Sequence, residues 1–204
     1  WHPESDNRLI QGFTQHEWDG KRANMRYVEE TFGLEPSGGP LFVIISRLVY
    51  QKGLDLIPQI AEHIVAAGGR LAILGQGEEQ IEEMIAELAS RYSGRIGFHR
   101  GFNETDARRM FAGSDFLLMP SRYEPCGLSQ SYAQCFGSLP IARRTGGLAD
   151  TIVDANAAAL RAGAATGFLH APDDVADLAH AIRRTCLVHR DAKAWSKLTR
   201  KAMA

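Results

Sequence analysis

Cysteine is scarce: Cys126, Cys135 and Cys186 are the whole complement, an odd number with no Cys-x-x-Cys pair. That argues against a disulfide framework and fits a reducing, cytoplasmic setting. No run of about 18 apolar residues exists, so no membrane span is expected. The first residues, Trp1-His2-Pro3-Glu4-Ser5-Asp6, have neither the basic nor the apolar region of a signal peptide. There is no initiator Met, so a fragment or a single domain of a longer chain is expected. Charge of one sign is lacking too: 23 Lys and Arg nearly balance 24 Asp and Glu, a formal net charge of -1. No overall field attracts nucleic acid or an anionic membrane, so a bound anion needs a local constellation. No Gly-x-x-x-x-Gly-Lys-Ser/Thr run is present, which excludes a P-loop ATPase. Gly75-Gln76-Gly77-Glu78-Glu79-Gln80 falls short of a dinucleotide fingerprint, because Gln80 stands where the third glycine belongs and the motif follows the second strand. The seven histidines show no tight metal-ligand spacing. Internal repeats and low-complexity tracts are missing as well.

What remains is an ordinary globular composition, 45% hydrophobic and 23% charged, in 204 residues, enough for one well-buried core. From Pro40 onward, short apolar runs alternate with helical patterns. Strands are expected over 41–45, 71–74, 96–98, 116–119, 139–142 and 167–169. Between them, Leu54, Ile57, Ile60, Ala61, Ile64 and Val65 share a helical face that Gly68-Gly69 ends, and Ile81, Met84, Ile85 and Leu88 share another. Further helices are expected over 107–112, 127–136, 173–188 and 191–203. Such alternation predicts an α/β fold with a doubly wound parallel sheet. Residues 1–39 do not fit the alternation and are expected to be a lead-in packed on the main domain: Asp19 is placed to cap a helix over 21–32, and Pro36-Ser37-Gly38-Gly39-Pro40 reads as a turn-rich linker. The Rossmann-like domain then covers 40–204.

Ligands in such a sheet sit beyond the carboxyl ends of the strands. After the first strand, Arg47 and Lys52 are either two cations converging on one anion or a solvated surface pair. After the fourth, residues 120–132 place Pro125 and Gly127 at the entry to a helix, where the amides of Gly127 and Leu128 and the hydroxyl of Ser129 suit the diphosphate of a nucleotide-sugar. Glu124 beside them either faces sugar hydroxyls or caps the helix. Cys126 reads as a structural or ligand-lining thiol, since no base is identifiable to make it a nucleophile. Gly146 and Gly147, after the fifth strand, permit either close ligand approach or a tight turn. Phe102, in a loop, either stacks on a base or packs.

Three blocks, Ser46-Arg47-Leu48 with Gln51-Lys52-Gly53-Leu54-Asp55, Pro120-Ser121-Arg122-Tyr123-Glu124-Pro125-Cys126-Gly127-Leu128, and Arg143-Arg144-Thr145-Gly146-Gly147-Leu148-Ala149-Asp150, together resemble the C-terminal domain of bacterial glycogen synthase and plant starch synthase. These are retaining glucosyltransferases of the GT-B fold, in which the active site lies between two Rossmann-like domains. The similarity covers nearly the whole chain, and Trp1-His2-Pro3 looks like the family's entry from the interdomain crossover. The resemblance implies that Arg47 and Lys52 bind the diphosphate of ADP-glucose and offset charge on the departing ADP. Glu124 contacts the glucose, Gly127, Leu128 and Ser129 hold the distal phosphate, and Phe102 stacks on adenine. Cys126, Tyr132, Thr145 and Gly146 complete the implied binding set. Tyr132 stands where many related transferases carry a second Glu, which is similar to the glycogen synthase pattern.

The implied reaction moves glucose from ADP-glucose to the nonreducing 4-hydroxyl of an α-1,4-glucan, with retention, no cofactor and no obligatory metal. The implied partners are ADP-glucose or ADP, the glucan, and the family's N-terminal GT-B domain; nucleic acid and membrane are not among them. That N-terminal domain, with its Lys-containing glycine loop and catalytic-site His, lies outside this chain, and the family's final returning segment falls beyond Ala204. The 204 residues are therefore expected to bind donor without turning over alone. A non-catalytic nucleotide- or glucan-binding module, and a same-fold enzyme using UDP- or GDP-sugar, are the alternatives. Ser131 and Gln134 are more polar than expected on the helix after Glu124.

Overall fold

Alternating residues of each central strand supply opposite faces of the sheet, and helices cover both. The computed structural model describes residues 1–172 and 174–204. Six strands, β1 (Leu41–Ile45), β2 (Arg70–Gly75), β3 (Ile96–Arg100), β4 (Phe116–Met119), β5 (Leu139–Arg143) and β6 (Phe168–His170), form one sheet in the order β3-β2-β1-β4-β5-β6. Every pairing is parallel, as the alternation of elements predicts.

Phe42 and Ile44 of β1 join Ile73 and Leu118 in one cluster. Above it lie α2 (Ile57–Ala66), α3 (Glu79–Arg91) and α8 (Val175–Arg190). Leu41 and Val43 point the other way, toward α4 (Glu104–Gly113), α5 (Ser129–Cys135) and α1 (Asp19–Thr31). The period of two along a strand produces both cores from one apolar run. α1 buries Val28 against this second cluster, Glu29 makes an ion pair with Arg70, and Lys21 donates to the carbonyls of Ala112 and Phe136 at 3.0 and 2.9 Å. The lead-in helix is thus part of the core.

Several expected boundaries move. Asp19 is not a cap: α1 begins at Asp19 itself, Trp18 occupies the cap position without a side-chain bond, and Asp19 pairs with Arg22 at 2.6 Å. The helix expected from Leu54 starts at Ile57. Gly53 adopts φ 69° and splits the approach into short 3-10 turns at Tyr50–Lys52 and Leu54–Leu56. The helix expected over 127–136 is shorter, because Gly127 at φ 67° cannot be helical. The expected start at Asp173 lies outside the described residues. Two short helices, α6 (Gly146–Thr151) and α7 (Ala157–Ala162), and a C-terminal α9 (Ala192–Met203) complete the chain. Gln134 earns its polarity by donating to the Thr166 carbonyl at 3.1 Å. No helix among the described residues is long and apolar enough to cross a membrane.

Candidate functional site

Strand order reverses between β1 and β4, since β2 and β3 extend to one side of β1 and β4, β5 and β6 to the other. The loops leaving β1 and β4 at their carboxyl ends therefore diverge and open a crevice. They touch at Gly53: a Cβ there would lie 2.2 Å from the carbonyl oxygen of Pro120. Both its space and its positive φ require glycine.

Three contacts lace the loops together. Arg122 grips Asp55 through both carboxylate oxygens, at 2.6 and 2.7 Å, donates to the Tyr50 carbonyl at 2.8 Å, and lies 3.8 Å from the centre of the Tyr50 ring. These hydrogen bonds hold the Asp55 carboxyl below its ordinary range, against an opposing contribution from burial. The Arg122 amide donates to the Gln51 carbonyl, and the Gln51 side chain to the Tyr123 carbonyl, at 2.9 and 3.1 Å. Finally, Lys52 Nζ meets Glu124 Oε2 at 2.5 Å, with both side chains largely buried. Glu124 is therefore paired with a cation and does not cap α5, whose cap position is Leu128 without a side-chain bond.

A cavity of about 620 Å³ lies in the crevice, lined by Ser46, Arg47, Lys52, Ser121 and Ser129 among others. It adjoins a second of about 800 Å³, which shares Ser46, Arg47 and Ser129 and is walled by Gln76, Phe102, Trp1 and Tyr132. Arg47 and Ser129 thus stand where the two meet. Phe102 is 66% exposed in the loop after β3. An aromatic so exposed contributes little to the core and presents its ring to the cavity. Tyr132 lines the second cavity. Its ring stacks on Trp1, with centroids 4.3 Å apart and planes 12° apart, and Arg108 covers Trp1 at 4.1 Å. Arg108 is itself fixed by Asp6 and Glu104 at 2.6 Å each.

Glu124, Cys126, Gly127, Leu128, Thr145 and Gly146 do not line these two cavities. They form an adjoining rim. A Cβ on Gly146 would lie 2.2 Å from the Glu124 carbonyl, and one on Gly147 2.1 Å from that of Cys126. The Gly147 amide donates to the carbonyls of Glu124 and Pro125 at 3.1 and 3.2 Å. These glycines serve loop-to-loop contact, and Thr145 supplies the backbone cap of α6. Cys126 carries an exposed free thiol. The glycines at 75 and 77 have a similar purpose: Cβ atoms would strike the carbonyls of Ser46 and Leu48 at 2.1 and 2.2 Å. They let the β1 loop pass close by, which accounts for a glycine pair that only partly matches a dinucleotide motif.

Sequence reading missed Trp1, Gln76 and the Arg122–Asp55 clasp as parts of this site. Arg122 and Asp55 stand inside the quoted motifs, yet only their proximity in the fold reveals the pairing.

The geometry has close counterparts. Over all 204 residues the chain is 54% identical to a glycogen synthase of Pseudomonas paraeruginosa, covering 38% of that protein. It is 63% identical over 152 residues to one from Pseudomonas putida, covering 74% of this chain and 29% of the relative. The chain spans about two-fifths of the length of the first of these. Among solved structures, the catalytic domain of starch synthase IV from Arabidopsis thaliana, bound to ADP and acarbose, superimposes with a TM-score of 0.92 at 30% identity. That match takes in 100% of this chain and 43% of the other. The fold is accordingly the Rossmann-like domain of a GT-B glycosyltransferase. The family pattern "Glycosyl transferases group 1" matches residues 29–202, spanning the crevice and all three loop blocks, and the chain belongs to that family.

Proposed function

We propose that this chain is the donor-binding half of a glycogen synthase, which transfers glucose from ADP-glucose to the nonreducing 4-hydroxyl of an α-1,4-glucan with retention. The observation that carries this reading is the convergence of Arg47 and Lys52 on one cavity, with Glu124 paired to Lys52 beside it and an exposed aromatic, Phe102, in the adjoining cavity.

In that reaction the bond from the glucose anomeric carbon to the diphosphate oxygen breaks, a bond to the acceptor oxygen forms on the same face, and the acceptor hydroxyl gives its proton to the released phosphate oxygen. Negative charge grows on the departing ADP. Arg47 and Lys52, on the crevice wall, offset that charge by preorganised electrostatics, a task a metal ion performs in other transferases. A carboxylate this close to a diphosphate would ordinarily repel it. The Lys52 ammonium, shared between Glu124 and the diphosphate, lessens that repulsion and leaves the carboxylate suited to accepting hydrogen bonds from sugar hydroxyls, with Arg47 supplying the remaining positive charge. Phe102 stacks on adenine, and the Gly127–Leu128 backbone with Ser129 takes the distal phosphate. The partners are ADP-glucose, the glucan, and an N-terminal GT-B domain that closes the cleft. The setting is cytoplasmic, in keeping with three free thiols.

Calorimetry on the 204-residue chain with ADP, UDP and GDP tests the donor. ADP binds most tightly, and Phe102→Ala removes that preference. Equal affinities, or tighter binding of UDP or GDP, would overturn the assignment. Purified chain alone elongates no glucan; elongation would refute its being half of a site.

A further inference from the structure

α5 has only seven residues. Its N-terminal partial charge is small, so something else must fix the direction of the loop amides ahead of it. Gln130 is fully buried beneath that loop. Its Nε2 lies 3.3 Å from the Cys126 carbonyl oxygen, 3.1 Å from that of Gly127, and 3.1 Å from the Thr151 hydroxyl. The carbonyls only accept, so the nitrogen of the Gln130 amide, and not its oxygen, must face them. Thr151 gives its own hydrogen to the Gly147 carbonyl at 2.6 Å, so toward Gln130 it also accepts. Gln130 Oε1 is left buried without a partner, and it would lie 2.5 Å from a Cβ on Gly127.

The consequence follows from peptide geometry. In a trans peptide the C=O and N–H point in opposite directions. The Cys126 carbonyl shares its plane with the Gly127 amide, and the Gly127 carbonyl with the Leu128 amide. Drawing both carbonyls inward to Gln130 turns both N–H groups outward. Among the described residues neither of these amides donates to another group of the chain. Two adjacent outward amides, behind a glycine with positive φ, form an anion-accepting concavity.

We propose that Gln130 is a positioning residue that aims the Gly127 and Leu128 amides at the distal phosphate of a nucleoside diphosphate, and that Thr151 locks this arrangement to the Gly147 loop. The proposal rests on the donor-site reading above. Gln130 itself touches no ligand. It acts by selecting one orientation of two peptide planes.

The test compares ADP with AMP, which lacks the distal phosphate, by calorimetry on the 204-residue chain. Wild type binds ADP more tightly than AMP. Gln130→Met, similar in length and without a donor, weakens ADP binding by ~10-fold, about the loss of one hydrogen bond to a charged group. AMP affinity stays within about twofold, a selectivity that general loosening of the fold would not produce. Thr151→Val weakens ADP binding in the same selective way, whereas Thr151→Ser, which keeps the hydroxyl, behaves as wild type. The threonine pair decides the matter if Gln130→Met does not fold. Wild type that fails to prefer ADP over AMP overturns the donor-site reading of this loop. Wild type that prefers ADP, with the preference intact in Gln130→Met, overturns the role of Gln130; the preference intact in Thr151→Val overturns the Thr151 lock, and with it the proposal if Gln130→Met does not fold.

Discussion

Lys21 lets a stability prediction be worked from structure to assay. Its ammonium is buried between α1 and the second core cluster, with the Ala112 and Phe136 carbonyls at 3.0 and 2.9 Å. Burial pushes its pKa down from 10.5 to about 8, and the nearby Asp115 carboxylate only partly opposes the shift. The sign follows from proton counts. Between about pH 8 and 10.5 the unfolded chain holds a proton on Lys21 that the folded chain has released, so stability rises with pH across that window. Below about pH 8 both states are charged and the full burial cost is present. The gap is worth roughly 3 kcal/mol, of which about 2 to 3 kcal/mol is recovered by pH 10. Lys21→Met removes this cost but leaves two buried carbonyls short of a donor, at about 1–3 kcal/mol each. The two effects offset one another at pH 7, so the slope is more diagnostic than the intercept. Urea unfolding followed by tryptophan fluorescence from pH 7 to 10 measures it. The stability of wild type relative to Lys21→Met should climb by about 2 to 3 kcal/mol, while cysteine and tyrosine titrations common to both proteins cancel. A difference that stays flat across the range would refute the buried, depressed ammonium.

Two further predictions concern the crevice. In the complete enzyme, Arg47→Ala or Lys52→Ala should lower turnover by ~100-fold or more, the scale of losing a preorganised charge contact, and wild-type rates in either would discard its role. The hydrogen bonds from Arg122 lower the Asp55 pKa from 3.8, so the pair stabilises the fold above that value and the contribution fades as pH falls through the lowered one. Discounted for partial exposure of both side chains, its size is on the order of 1 kcal/mol, and Asp55→Asn should lose that at pH 7 and approach wild type in acid. Equal urea midpoints at pH 7 would remove the clasp from the stability argument.

The sheet was legible wherever burial on both faces left an unbroken apolar signal. The strands at 41–45 and 116–119 stand as expected because each has sheet neighbours on both sides. The strand expected over 96–98 runs on to Arg100, since β3 is an edge and its last residues, His99 and Arg100, pair with Leu74 and Gly75 while facing solvent. Polar residues at an edge carry no apolar period. Arg70 hides the start of β2 in a different way: a charge reads as loop until Glu29, 41 residues earlier, is seen to pair with it. α7 was missed because its Ala-rich sequence buries no side chain; what marks it is the Asn156 side chain accepting from the Ala158 and Ala159 amides, with Gly163 at φ 68° closing it.

The site divides along the same line. The chemistry of Arg47, Lys52, Glu124 and Phe102 left ligand and structural roles open, and it was the resemblance of the three loop blocks to glycogen synthase that singled them out. The residues that hold them were not singled out, because their chemistry is ordinary and only their neighbours are informative. Asp55 looks like a solvated carboxylate until Arg122 closes on it from 67 residues away. Gln130 looks like a misplaced polar residue in a short helix until its nitrogen is found beneath two carbonyls of the preceding loop. Both residues act on the backbone of the crevice. A loop motif names the groups that meet a ligand, but the directions of those groups are set by peptide planes and by side chains packed behind them. In the proposed donor site, the peptide planes behind which Gln130 packs and the loop spacing held by the Arg122–Asp55 clasp would complement the cations lining the crevice.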